Sequence, residues 1–320
     1  MVTVILILLS GCTSIPTDKI DAFGLAALDV TNKIDAVLNE FHKANINNEL
    51  VKMAQSRKKY VTSNMNSIKT IIIRDFKKKN FAIYKANHAL GDYSKALSAL
   101  AKAGSHDELE LAGANLSNSL KRMNIQYKKI RGNQNNLISN KNSGKISRAF
   151  AELASFYFEY KRGKALKDII IAADPSIQTI GQIIHDQLLN NVIGNRLYTM
   201  RYSEMAGYFD DYNIQVKANN PSFVKKKKML GAIYEKYLRM LSSTATIVQA
   251  QKAILSIMKA HAELRAESEK NCFNIKNITK TIENIKTVHN NFNDLEELIQ
   301  NCETEIIFDA KTGLICKEVD

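Results

Sequence analysis

From Ile20 onward, apolar side chains fall at positions 20, 23, 27, 30, 34, 37, 41 and 44, as Ile, Phe, Ala, Val, Ile, Val, Phe and Ala. The charged residues of this stretch all lie between them. Alternating steps of three and four place the apolar set on one stripe of an α-helix, the heptad pattern of helices that pack lengthwise. The pattern predicts a helix over residues 17–64, roughly 70 Å long at 1.5 Å per residue. A second stripe of the same kind runs through Ile275, Ile278, Ile282, Ile285, Phe292, Leu295, Ile299 and Cys302, with His289 in a gap. Amphipathic stretches at 80–103, 106–131, 146–172, 176–218 and 221–270 predict the helices between.

The predicted boundaries have physical causes. Asp174-Pro175 and Asn220-Pro221 each put a capping side chain before a proline suited to a first helical turn. Gly104-Ser105 followed by Glu108 offers a helix-ending glycine and then a capping box. Residues 132–144 (GNQNNLISNKNSG) are polar and Asn-rich, and predict a loop. Near the end, Ile306-Ile307-Phe308 and Leu314-Ile315-Cys316 flank a DAKTG turn, which predicts a small β-hairpin. The expected fold is therefore all-α: an elongated multi-helix bundle with coiled-coil-like seams over 17–303, and a C-terminal hairpin or tail over 304–320. Residues 86–103 resemble a single tetratricopeptide unit. Such folds stack about three copies, and no second copy is present, so this stretch is read as one more helix.

Composition sharpens this picture. The chain has 320 residues, only three prolines and no tryptophan, and so few breakers suit long helices. A formal net charge of +13 favours anionic partners. The lysines and arginines cluster at Arg57, Lys58 and Lys59; at Lys69, Arg74, Lys77, Lys78 and Lys79; at Lys121, Arg122, Lys128, Lys129 and Arg131; and at Lys225, Lys226, Lys227 and Lys228. The last four fall in the first turns of a helix, where the macrodipole disfavours cations. If the helices alternate direction with a break at Gly104, the clusters meet at one cationic tip. Aromatic residues are not interleaved with these runs as single-strand binding wants, and no nucleic acid is expected.

Residues 2–9 (VTVILILL) are apolar and lead into Leu9-Ser10-Gly11-Cys12. This resembles the lipobox of bacterial lipoproteins. The resemblance implies a signal peptide over 1–11, cleavage before Cys12, acyl chains such as palmitate on that cysteine, and a short tether over 12–16. Eight apolar residues are far fewer than the ~20 needed to span a hydrocarbon core, which suits a cleaved signal. No Lys or Arg precedes the run, a departure from the positive start of such signals. By the sorting rule of enteric lipoproteins, Thr13 rather than aspartate after Cys12 implies the outer membrane.

Little else carries chemistry. The six histidines show no ligand spacing, and HExxH, CxxC and phosphate-binding glycine loops are absent from the sequence. No catalytic residue, metal or cofactor is expected. In an oxidising compartment Cys302 and Cys316, bracketing the predicted hairpin, are placed to pair. A helix over 273–302 would hold Cys272 roughly 45 Å from Cys302, beyond disulfide reach. The expected function is that of a membrane-anchored envelope lipoprotein acting as a non-enzymatic structural or interaction protein. The alternative is an inhibitor or exclusion-type lipoprotein that occludes another envelope component. The expected partners are membrane lipid through acylated Cys12, an anionic polymer or membrane surface at the basic clusters, and a protein or second copy through the seams. A solid core with an exposed apolar stripe would favour an interaction protein. A pocket of convergent ionisable groups would favour an enzyme.

Overall fold

The computed structural model describes residues 16–56, 59, 79–132, 135–155, 159–189, 193–270, 273–302, 306–309 and 313–316. Among them the fold is a helical bundle, built from α1 (Thr17–Gln55), α2 (Lys79–Lys102), α3 (His106–Arg131), α4 (Asn140–Ser155), α5 (Glu159–Leu189), α6 (Gly194–Asn219), α7 (Phe223–Glu269) and α8 (Ile275–Asn301). The chain closes on two short paired strands, β1 (Ile306–Asp309) and β2 (Gly313–Cys316).

All eight positions of the first stripe are buried, and they pack α1 against α2, α6, α7 and α8. Helices α1 and α2 come especially close. A β-carbon added at Gly24 would stand 2.6 Å from the Ser94 carbonyl oxygen, and one at Gly91 would stand 2.7 Å from Thr31 Oγ1. Asn87 ties the same pair, its amide donating at 2.8 Å both to the Thr31 carbonyl and to Asp35. Helix α1 stops at Gln55, short of the expected 64, with Ser56 extended and its N–H bonded to the Met53 carbonyl. Its last buried stripe residue is Ala44. Beyond it, Asn48 and Gln55 stand where the seam needs apolar groups, and a helix without a packed face is marginal.

Pro175 overturns a predicted boundary. It lies inside α5 rather than opening a helix. The reason is the stripe Leu166, Ile169, Ala173, Ile177, Ile180, Ile184 and Leu188, all buried, which runs unbroken through the proline. An interior proline costs about 3 kcal/mol, whereas each buried Leu or Ile contributes about 1.5–3 kcal/mol, so packing decides. One helix ends at Ser155, and the next runs from Glu159 to Leu189 with Pro175 in its interior. Helix α4 starts at Asn140, inside the predicted loop, because Ser139 Oγ accepts the Asn142 N–H. Asn220 also has a different role: it closes α6 in the left-handed conformation, φ 36°. Ser222 then caps α7, which starts at Phe223. Around Gly104 the capping box forms, with Ser105 Oγ accepting from Glu108 N–H and Glu108 accepting from Gly104 N–H.

The second stripe is buried at Ile278, Ile282 and Ile285, but Ile275 is exposed. Strands β1 and β2 pair antiparallel, Ile306 opposite Cys316 and Phe308 opposite Leu314. Cys302 is bonded to Cys316, with Cα atoms 5.5 Å apart, which brings β2 against α7 and α8. The turn expected between the strands, at 310–312, lies outside the described residues, as does Cys272.

Candidate docking surface on a projecting helical arm

Arg196 sits over the Phe41 ring, and Gly207 packs on Val51 and Gln55 near the end of α1. Helix α6 therefore runs parallel to α1, and its residues 208–219 carry on past the end of α1. Helix α7 returns antiparallel, with Lys236 beside Glu204 and Tyr208 and Ile247 beside Gly194. The turn between them is only Asn220-Pro221-Ser222. The result is a two-helix arm over residues 208–239, in which Ile233 is the one buried residue.

The root of the arm is an ionic cluster. Arg201, 2% exposed, pairs with Glu40 of α1 and with Glu204, 2.7 Å away. Glu204 also takes Lys236 of α7 at 2.8 Å. Burial by itself would raise the Glu204 carboxyl, but hydrogen bonds and charge from Lys236 and Arg201 outweigh it and hold the group below its ordinary range. Burial lowers Arg201 from its usual value. One charged knot thus joins α1, α6 and α7 where the arm leaves the bundle. Beside it lies an open cleft of about 930 Å³, lined by Leu50, Val51, Ala54, Asp210, Asp211 and Ile214 among others.

At the root and beyond it, apolar side chains face solvent. Tyr202 and Phe209 on α6, and Leu230, Tyr234 and Tyr237 on α7, are all exposed at helical spacings. Tyr198 stacks on Tyr202 and Tyr234 on Tyr237, with ring centroids 6.5 and 6.4 Å apart. At the tip, Phe223 and Val224 are 78% and 74% exposed, the two most exposed large apolar side chains among the described residues. Lys225, Lys227 and Lys228 are exposed beside them, and Lys226 donates to Asn220 Oδ1 at 2.8 Å. From 212 to 234 the chain has five lysines, Lys217 and Lys225 to Lys228, and no carboxylate.

The other predicted site residues fare differently. Cys12 lies outside the described residues, as do Arg57, Lys58, Lys69, Arg74, Lys77 and Lys78. Lys59 is exposed, and Lys79 opens α2. Of the clusters expected to share one cationic tip, the two that lie wholly within the described residues do not coincide. Arg122 pairs with Asp92 of α2, which fixes the height of α3 and leaves Lys128, Lys129 and Arg131 roughly 35 Å short of the arm's tip at 1.5 Å per residue. Helix α6 runs on past the end of α1 whereas α3 stops at Arg131, so the two clusters lie at different heights.

One core constellation has the look of a reactive relay. His261 Nδ1 donates to Asp174 Oδ1 at 2.8 Å, and the Tyr93 hydroxyl and His261 Nε2 share a hydrogen bond of 2.8 Å. Gln178 and Arg265 also donate to Asp174, at 3.0 and 3.3 Å. Burial would raise the Asp174 carboxyl, but the bond and charge of His261, with Gln178 and Arg265, hold it below its ordinary value. Burial, and then the charge of Asp174, push the Tyr93 phenol upward. Tyr93 and His261 expose nothing, so no substrate reaches them. The line serves to join α2, α5 and α7 with every polar atom partnered, as a buried polar group demands.

Among the described residues, no group of three or more His, Cys, Asp or Glu side chains is placed to hold a metal ion. No described helix is long and apolar enough to cross a membrane. Comparison of the chain with protein-family models, curated proteins and solved structures finds no match.

Proposed function

We propose that this chain is a lipid-anchored protein of the bacterial cell envelope, tethered through acylated Cys12 and acting as a non-enzymatic interaction protein.

 The single observation that carries this reading is the contrast between a closed core and an arm that leaves its aromatic side chains in water. Contiguous apolar surface of that kind marks an interaction face. The heptad seams make an elongated body suited to holding the arm away from the anchor, and Phe223 stands on the order of 70 Å from the level of Thr17 at 1.5 Å per residue. A disulfide-closed hairpin at the C-terminus completes the bundle in this view, and Thr13 after the anchor favours the outer membrane.

Site-directed photo-crosslinking in intact cells tests the reading. A photoreactive side chain at Phe209 or Tyr234 is expected to yield a defined adduct, whose mass separates a second copy from another protein. The same group at Leu111, 64% exposed on α3, should yield none. Cys12→Ser should release the protein from membranes and abolish the adducts. Equal adducts from Leu111, or none from the arm, would sink the interaction reading, and undiminished membrane attachment of Cys12→Ser would sink the anchor.

A further inference from the structure

We infer that the tip of the arm docks on an anionic lipid bilayer, with Phe223 and Val224 entering the headgroup–acyl boundary and Lys225 to Lys228 lying at the level of the phosphates. This goes beyond the interaction reading, which rests on the sides of the arm, and it stands on the tip alone.

Three observations select a bilayer as the occupant. The first is charge: five lysines without a carboxylate between 212 and 234 complement an anionic surface, and each lysine near such a surface adds to its attraction. The same charge opposes a second copy meeting tip to tip. The second is the placement of the apolar pair. Phe223 and Val224 are the first two residues of α7, and helical Cα–Cβ bonds tilt toward the N-terminus, so both side chains project off the end of the arm. A soluble polyanion has nothing to offer an exposed ring and isopropyl group. A bilayer boundary has apolar depth for both, while lysine stems reach back to the headgroups. The third is reach. Among the described helices the tip extends past the end of α1 and past the end of α3, so a flat surface can meet it ahead of them. Shallow docking also agrees with the absence, among the described residues, of any helix able to cross a membrane.

The chain has no tryptophan, so Phe223→Trp in the full-length protein places a single indole at the tip. Its emission reports entry into lipid whether or not Cys12 carries acyl chains, which keeps failure of the anchor distinct from failure of the tip. With phosphatidylglycerol-containing vesicles the emission should move to the blue and be quenched by lipids brominated on their acyl chains. Vesicles of phosphatidylcholine alone should do neither, and high salt should reverse the effect, because exposed charges are screened over about 10 Å at 0.1 M. Changing Lys225, Lys226, Lys227 and Lys228 to Gln should weaken binding by on the order of a hundredfold or more, about fivefold for each lysine. Val224→Trp is the second reporter should the first variant fold poorly, and Leu111→Trp the control that stays unshifted. Any of four results would overturn the proposal. They are no shift with anionic vesicles, an equal shift at Leu111→Trp, an equal shift with soluble polyphosphate, or a shift without lipid that grows with protein concentration.

Discussion

Asp174 shows how one side chain can be read two ways. Before a proline it has the form of a helix cap, yet in the fold it is buried at the meeting of three helices and accepts from His261, Gln178 and Arg265. Its ionised form is favoured by the fold, as are those of Glu204 and Glu267. For Glu267, burial opposes ionisation, and the bonds from Lys270, Asn274 and Asn277 overcome it. A carboxyl whose folded value is depressed binds fewer protons in the fold than in the unfolded chain. Its stabilisation is fully present above the ordinary carboxylate range near pH 4 and is lost as the pH falls through the depressed value. Asp35 has the opposite sign, since burial raises it; its contribution favours the fold at acid pH and disappears as the pH rises through its raised value. Three carboxyls oppose one, and His42, which burial lowers, adds a small loss as the pH falls through the histidine range. The melting temperature should therefore fall slightly from pH 7 to about 5 and more steeply below about pH 4. Asp174→Asn should make that fall shallower. Thermal melts across pH 7 to 3 check both statements, and a melting temperature constant down to pH 3 would contradict them.

At the scale of the element, α5 is where local preference and burial disagree most clearly. Pro175 sits mid-helix between buried Ala173 and Ile177, so an alanine there restores a backbone donor and removes a steric conflict. Pro175→Ala should raise stability by about 1–3 kcal/mol, measured by urea unfolding. Were Pro175 a first-turn residue, the same change would be neutral or harmful. The stripe at 20–44 was legible because every member obeys one period and every member is buried. The capping box at Ser105 was legible because its chemistry is local. The run of α5 straight through Pro175 was not, since it depends on which side chains the neighbouring helices cover. The Tyr93–His261–Asp174 line was equally hidden, because its members lie far apart in sequence and meet only when α2, α5 and α7 pack. Phe223-Val224 ahead of four lysines did leave a trace: two apolar residues just after a Pro-Ser turn, with no apolar partner in the turn before them.

The whole molecule divides into a closed bundle and an open arm, and the two should differ in stability. In the bundle, buried residues recur along α1, α2, α5 and the second half of α7. In residues 208–239 only Ile233 is buried, and fully burying a large apolar side chain contributes about 1.5–3 kcal/mol. Two helices held together by so little packing stay formed mainly because their roots are fixed. The fixing point is the knot of Glu40, Arg201, Glu204 and Lys236, where one buried guanidinium is matched by carboxylates from α1 and α6. Hydrogen exchange should therefore show a step. Backbone amides of residues 212–232 should exchange through local opening, at a small fraction of the global stability, while those of α2 and α5 exchange only with global unfolding. Arg201→Ala leaves Glu204 buried with half its partners gone, a loss of about 3–5 kcal/mol for a broken buried pair. That loss should lower protection at 196–210 and 233–245 before it touches α2. An arm as protected as the core would mean that its exposed aromatic faces are covered in solution, and the concentration dependence of that protection would show whether a second copy covers them.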